Sequence, residues 1–132
     1  LYSSAASDVY KRQIQDKDGV IAVTPSTMPS DRHFRNAWVF DSAQSAITED
    51  ITAAKVIFKD KIREVRLPLL EAEDVAFMKA LEVADSDARV ASQTKKINLR
   101  NAPQAAAISS ADTIDKLKAA WDESLLGTSP YK

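Results

Sequence analysis

His33 is the single histidine of the chain, and it closes the tripeptide Asp31-Arg32-His33. An imidazole beside a carboxylate is part of the arrangement that activates a serine nucleophile, but no glycine-flanked serine turn is present to supply one. A metal site would need several further ligands at a supporting spacing, and the chain contains no cysteine. The sequence therefore favours an exposed histidine and predicts no catalytic, cofactor-binding or metal-binding residue.

Three carboxylates, Glu71, Glu73 and Asp74, form a second group that could do chemistry. Paired carboxylates can act as general acid and general base. These three also follow Pro68 closely, and acidic residues in the first turn of a helix are stabilised by the positive end of the helix dipole. The structural interpretation is therefore favoured over the catalytic one.

A third group is basic and would suit phosphate binding. It comprises Lys55, Lys59, Lys61, Arg63 and Arg66. Asp60 and Glu64 interrupt these cations at the spacing of helical ion pairs, which is typical of a solvated helix face. The formal net charge of −1 adds no overall attraction for nucleic acid. A small nucleic-acid-binding regulator that uses the basic helix 55–66 stays as the alternative function.

A long helix predicted over 50–84 must position the acidic and basic groups. Its apolar or small side chains recur every seven residues in two series offset by four, and together they form one stripe along a helix. The two series are Ile51, Phe58, Val65 and Ala72, and Ile62, Leu69, Ala76 and Val83. Pro68 removes a helical hydrogen bond and clashes with the preceding turn, so the sequence predicts two helices, about 50–67 and 68–84.

Short strands are predicted before the long helix. Val20–Val23 is an apolar candidate strand, 31–41 is an extended segment, and 46–48 can return as its partner. In the extended segment, a period of two places three aromatic side chains on one face: Phe34, Trp38 and Phe40. A hairpin alone is marginally stable, so this face is expected to cover a helix or another chain.

Two further helices are predicted after the long one. The first spans about 87–101 and should pack antiparallel on 68–84 through a thin apolar face. That face comprises Val90, Ala91, Thr94 and Ile97. A short last helix begins near Asp112, and Gly127 ends it.

Length and composition fit one domain with a modest core, since the chain has 132 residues and 45% hydrophobic content. Two glycines in the whole chain favour helices over a turn-rich β-sandwich. No apolar run approaches the roughly 20 residues that a membrane-spanning helix needs.

The first residues of the chain have a different origin from the rest. Ser3–Gln13 resembles the conceptual translation of a widely used transposase sequencing adapter, which encodes these residues in order in one reading frame. We interpret residues 1–13 as an assembly scar and exclude them from the fold prediction. The natural protein is expected to begin upstream of Ile14.

Five stretches of the chain match, in order, a sequence pattern found in other small proteins. They are Phe34–Trp38, the basic helix Ile51–Arg66, Leu70–Met78, Leu99–Pro103 and Leu117-Lys118. The pattern resembles that of small proteins encoded among the tail and tail-fibre genes of tailed bacteriophages and prophages, and the match covers nearly all of 31–126. Glu73 departs from it, because a leucine is usual at that place. The resemblance implies a tail-associated accessory or fibre-assembly role, and its motifs are structural, so it carries over no catalytic residue.

The predicted fold is mainly α (α+β), in four segments. Residues 1–13 are non-native, 14–49 form a small β element, 50–126 form a helical region, and 127–132 form a frayed tail. The β element is a short hairpin or small sheet. The helical region contains a long helix broken near Pro68, an antiparallel helical hairpin and a short C-terminal helix.

The predicted function is that of a non-enzymatic phage tail-associated accessory protein or tail-fibre assembly chaperone. Its expected partner is a phage tail or tail-fibre protein or a second copy of the chain, with no membrane involved and nucleic acid disfavoured. The expected location is the bacterial host cytoplasm during assembly and then the virion tail. A small hydrolase built around His33 is a further alternative. The predicted partner-binding residues are Phe34, Trp38, Phe40, Ile51 and Phe58.

Overall fold

The structure, a computed structural model, describes residues 24–43 and 46–132, and the chain divides into two units. The units are residues 1–30 with 39–48, and residues 31–38 with 49–132. The adapter-like segment and the candidate strand Val20–Val23 lie outside the described residues.

The described part is mainly helical with a small two-stranded antiparallel sheet, which confirms the predicted fold class. The strands are β1 (Trp38–Asp41) and β2 (Ala46–Glu49). The helices are α1 (Ile51–Glu82), α2 (Ser86–Asn101), α3 (Ala106–Ser110), α4 (Ile114–Ala119) and α5 (Glu123–Leu126). Short 3-10 turns occupy Pro25–Thr27, Arg35–Ala37 and Ala102–Gln104.

Helix α1 continues through Pro68, so the predicted division into two helices is wrong. Asp50 caps its N-terminus by accepting a hydrogen bond from the backbone N–H of Thr52 at 2.9 Å. The proline leaves the carbonyl of Glu64 without its helical partner. Both residues are exposed, so water can hydrate that carbonyl.

Packing on both sides of the proline offsets its cost of about 3 kcal/mol. Val65, three residues before the proline, and Leu69, directly after it, pack against the buried core. Between them, Arg66 Nη1 donates a hydrogen bond to the carbonyl of Arg100 on α2 at 2.7 Å. These contacts hold the two flanking turns in one helix.

Helices α1 and α2 form the predicted hairpin, and α2 lies within a residue of the predicted 87–101. Ala84 adopts a positive φ of 53° in the connection, a conformation that commonly ends helices. Asp85 then caps α2 by accepting hydrogen bonds from the backbone N–H groups of Asp87 and Ala88. The chain thereby reverses within three residues.

An aromatic cluster forms the centre of the core in the second unit. The ring of Tyr131 stacks on Phe34 and Phe58, with ring centroids 5.1 and 5.3 Å apart. Trp121 meets Phe58 edge-on at 5.9 Å, and its Nε1 donates to the carbonyl of Gly127 at 2.9 Å. The aliphatic part of the core includes Ile62, Leu99, Ile108, Leu117 and Leu126.

The C-terminal segment 127–132, expected to fray, packs instead through Tyr131. Gly127 ends α5 at a φ of 82°, a left-handed conformation that glycine adopts without steric cost. Beyond it, Lys132 Nζ forms an ion pair with Glu123 at 2.6 Å. Burial raises the pKa of Tyr131 to about 12, so its phenol stays neutral at physiological pH.

The single last helix predicted from Asp112 is wrong, because two short helices stand there. Thr113 caps α4 and Asp122 caps α5 through side-chain oxygens. Trp121 lies between the two helices, where its ring enters the aromatic cluster.

Replacing Pro68 by alanine should stabilise the protein by about 1–3 kcal/mol, because the helical hydrogen bond to Glu64 is restored at an exposed position. Urea unfolding followed by circular dichroism measures this change. Ala72→Pro, at another exposed position of the same helix, is the matched opposite and should destabilise by about 3 kcal/mol. A destabilised Pro68→Ala would contradict a continuous helix.

Replacing Tyr131 by alanine should destabilise the protein by about 1.5–3 kcal/mol, because two stacked contacts and a half-buried ring are lost. Tyr131→Phe keeps the ring and should stay within about 0.5 kcal/mol of the wild type. Thermal unfolding of both variants separates the two cases. Equal stability of the alanine and phenylalanine variants would show that the C-terminal segment is not part of the core.

Candidate interaction surfaces

Two predicted partner-binding residues, Phe34 and Phe58, are core residues of the chain itself. Neither ring has exposed surface, and both stack on Tyr131. The period-two pattern misplaced Phe34, because β1 begins only at Trp38 and Phe34 precedes it in a turn. A ring that is fully enclosed by its own chain cannot contact a partner, so these two assignments are corrected.

The other three predicted residues keep some exposed surface. Ile51 is half-buried and packs against the core at the start of α1. Trp38 is also half-buried, and its Nε1 lies near the carboxylate of Glu49 without a hydrogen-bond partner in the described part of the chain. On β1, Phe40 is 38% exposed and its neighbour Val39 is 47% exposed. Because successive strand residues point to opposite faces, both faces of β1 present an apolar side chain to solvent.

The carboxylate of Asp31 contacts both the ring of His33 and the ammonium group of Lys118. It accepts from the His33 backbone N–H at 2.9 Å and lies 2.6 Å from His33 Nδ1. Its other oxygen forms an ion pair with Lys118. Partial burial tends to raise the pKa of Asp31, but the hydrogen bonds from Lys118 and His33 outweigh burial and lower it to about 2.

This geometry orients the imidazole without bringing it a nucleophile. The ring meets Tyr131 edge-on at 5.5 Å. Among the described residues, Asp31 is the hydrogen-bond partner recorded for the His33 ring, and no cluster of three or more metal-ligating side chains occurs. Glu49 adds a second carboxylate whose pKa is raised by burial and by the charge of Asp31. The cluster is thus a carboxylate pair balanced by one lysine.

Four of the five cations on the basic helix are directed at oxygens of the chain itself. Arg63 and Lys61 form ion pairs at three-residue spacing with Asp60 and Glu64. Lys55 and Arg66 donate across the fold, to the carbonyls of Ser109 and Arg100 at 2.7 Å each. The arrangement favours the solvated-face interpretation, because a phosphate would have to displace these contacts.

The acidic trio does not lie at a helix start, because α1 continues through Pro68. Glu73 forms an ion pair with Lys95 of α2 at 2.6 Å, and Asp74 forms one with Lys96. The two carboxylates therefore join the helices of the hairpin. The dipole explanation from the sequence is replaced by these interhelical ion pairs.

Large apolar side chains are exposed along α1. Leu67, Val75 and Met78 are 59%, 54% and 54% exposed. With the exposed carboxylates Glu71 and Glu82 they follow the spacing four, four, three, four, which places all five on one helix face. We call this set, Leu67, Glu71, Val75, Met78 and Glu82, the α1 stripe. Sequence reasoning missed it by ending a helix at 67, although the spacing itself is visible in the sequence.

Helix α2 turns its predicted apolar face outward. Val90 and Ile97 are 56% and 54% exposed, and Ala91 and Thr94 are exposed as well. The buried positions are Ser92 and Leu99, with Arg89 and Lys96 half-buried beside them. The apolar face of α2 is therefore free of cover from the described part of the chain.

An open groove of about 390 Å³ lies between the two helices of the hairpin. Its lining residues are Phe77 from α1 and Gln93, Lys96, Ile97 and Arg100 from α2. Lys96 Nζ stands 5.7 Å from the centre of the Phe77 ring, a cation–π distance. We call this set the α2 groove, and it combines apolar surface with two positive charges.

The length and the polarity of a helix decide whether it could span a membrane. In the residues that the structure describes, no helix has the length and apolar character to cross a bilayer.

Acid should weaken the wild type more than an Asp31→Asn variant. Because the folded-state pKa of Asp31 is about 2, below its ordinary 3.8, its ionised form contributes stability above 3.8 that is lost as the pH falls through about 2. Between about pH 6 and pH 2.5, the free energy of unfolding of the wild type should fall by roughly 1–2 kcal/mol more than that of Asp31→Asn. Thermal unfolding measures this difference. Asp60→Asn, in an exposed helical pair, is the control and should follow the wild type; identical acid losses in all three proteins would refute the Asp31 contribution.

Comparison with known proteins identifies no match to this chain. The chain matches no protein-family model, no curated protein and no solved structure. The likeness to phage tail-gene products therefore stays a prediction that rests on the five stretches described above.

Proposed function

We propose that the chain is a tail-associated accessory protein or tail-fibre assembly chaperone of a tailed bacteriophage or prophage, and that it acts by binding other proteins. The resemblance of its motifs to tail-gene products supports the tail assignment. Exposed apolar side chains support the binding activity, and this single observation carries the proposal: Val39 and Phe40 lie on β1, and a further set lies on the helical hairpin.

The exposed side chains are too many and too ordered for incidental surface positions. Single apolar residues at a surface are common and need no explanation. Here Leu67, Val75 and Met78 share one face of α1, and Val90 and Ile97 share one face of α2. Apolar residues that recur at helical spacing on an open face are typical of helices that pack against a further protein.

A second surface suits the tail or tail-fibre partner. It comprises Val39 and Phe40 on β1, which are 47% and 38% exposed. Among the described residues the sheet has two strands, and an edge strand of a sheet can pair with a further strand. Phe40 belongs to the surface predicted from the sequence.

Phe40→Asp and Val39→Asp should each reduce capture of the tail-fibre protein encoded in the same genome by about tenfold, because a charge enters an apolar contact. Capture is measured by co-expressing the two proteins and quantifying the partner retained with the tagged chain. Circular dichroism checks that the variants keep their helix content.

Val83→Asp is the matched control. Val83 is 74% exposed in the turn after α1, so the same chemical change is made outside the proposed surface. It should leave capture within about twofold of the wild type. Wild-type capture by both test variants would overturn this surface, and absence of capture by the wild type would overturn the tail-fibre partner.

A further inference from the structure

The two helices of the hairpin carry opposite charge. Residues 69–85 contain five carboxylates and one lysine, whereas 86–101 contain four cations and one carboxylate. Two ion pairs within the chain, Glu73 with Lys95 and Asp74 with Lys96, use part of this charge. The remainder is not paired within the described part of the chain.

The unpaired charges are spaced alike on the two helices. Glu71 and Glu82 are eleven residues apart on α1, and Arg89 and Arg100 are eleven residues apart on α2. Eleven residues are close to three helical turns, so each pair lies on one face with its charges about 16 Å apart. No ion pair in the described residues involves any of these four side chains.

Apolar surface lies between the charges in both cases. On α1, Val75 and Met78 stand between Glu71 and Glu82, and both are 54% exposed. Near Arg100, the α2 groove adds the ring of Phe77 and the exposed Ile97. The α1 stripe has two carboxylates, and α2 has Arg100 in the groove and Arg89 three turns before it, so the two surfaces are complementary in charge, spacing and chemical character.

We propose that the hairpin pairs with the hairpin of a second copy of the chain, with the α1 stripe of each copy against the α2 groove of the other. The contact is isologous, so a two-fold axis makes it twice and four helices form one bundle. Glu71 and Glu82 of one copy then face Arg89 and Arg100 of the other, and Met78 lies at the apolar centre. This inference goes beyond the proposed function, since it assigns the hairpin faces to self-association and leaves the β1 surface to the tail partner.

The test is a charge exchange between the two helices. Glu71→Lys with Glu82→Lys places like charges at both contacts of a homodimer, and so does Arg89→Glu with Arg100→Glu. Each double variant should weaken self-association by about tenfold or more. When the two variants are mixed, every contact again joins opposite charges, so a heterodimer should form with wild-type affinity.

Mass is measured by light scattering during size-exclusion chromatography and by sedimentation velocity over a concentration series. The wild type should show twice the 14.5 kDa chain mass, and the mixed variants should do the same. Met78→Asp should give a monomer, and Val83→Asp should leave the dimer intact. Circular dichroism shows whether each variant keeps its helices, and the restored heterodimer shows that both double variants are folded.

Three results would overturn the proposal. They are a monomeric wild type at the highest concentration, a dimer that both double variants retain, and a mixture in which no heterodimer forms. None of them depends on the tail partner, because capture of a tail-fibre protein is measured with Phe40 and Val39 variants. Failure of self-association and failure of the proposed function are therefore separate outcomes.

Discussion

Aromatic packing around Tyr131 is the interaction on which the second unit depends. It joins segments far apart in the sequence: Phe34 before α1, Phe58 within it and Trp121 near the C-terminus. The cluster and its aliphatic neighbours lie against the first half of α1, so apolar burial is concentrated at one end of a 32-residue helix. The other half is left with α2 as its main neighbour. Because the aromatic cluster packs on the first half of α1 only, that half is buried and the second half keeps an exposed apolar face.

Local signals predicted those parts of the fold that local chemistry controls. Asp50 and Asp85 precede their helices at capping positions, and both caps form. The seven-residue repeat through Phe58 and Ile62 correctly indicated the buried face of the first half of α1. Pro68 misled the prediction because the cost of a proline depends on its surroundings. An exposed ring flanked by well-packed turns is tolerated within a helix, and the sequence alone does not show which side of the helix is exposed.

The exposed apolar surfaces were harder to predict, because the sequence pattern of an apolar helix face does not show whether the chain itself or a partner covers that face. In α2 the apolar residues Val90 and Ile97 face outward, while Ser92 and Leu99 are buried against the hairpin. The small Ser92 permits close approach of the helices, and ion pairs to Lys95 and Lys96 complete the contact. Amphipathic analysis assigns the more apolar face to the core, and that assumption fails where the contact is built from small and charged residues. Phe34 was misplaced for another reason: it precedes β1 in a turn, so the period of two that grouped it with Phe40 does not apply there.

The opposite charges of α1 and α2 keep the exposed surface of the hairpin hydrated, and they also restrict which partner could cover it. An apolar partner that covered the α1 stripe without supplying cations would leave Glu71 and Glu82 desolvated and unpaired, which is costly. A second copy in the wrong register would bring carboxylate against carboxylate. The proposed two-fold arrangement avoids both costs, because each copy contributes an acidic contact and a basic one. In that arrangement, the charges that keep this surface hydrated in a single copy are the ones that select its partner.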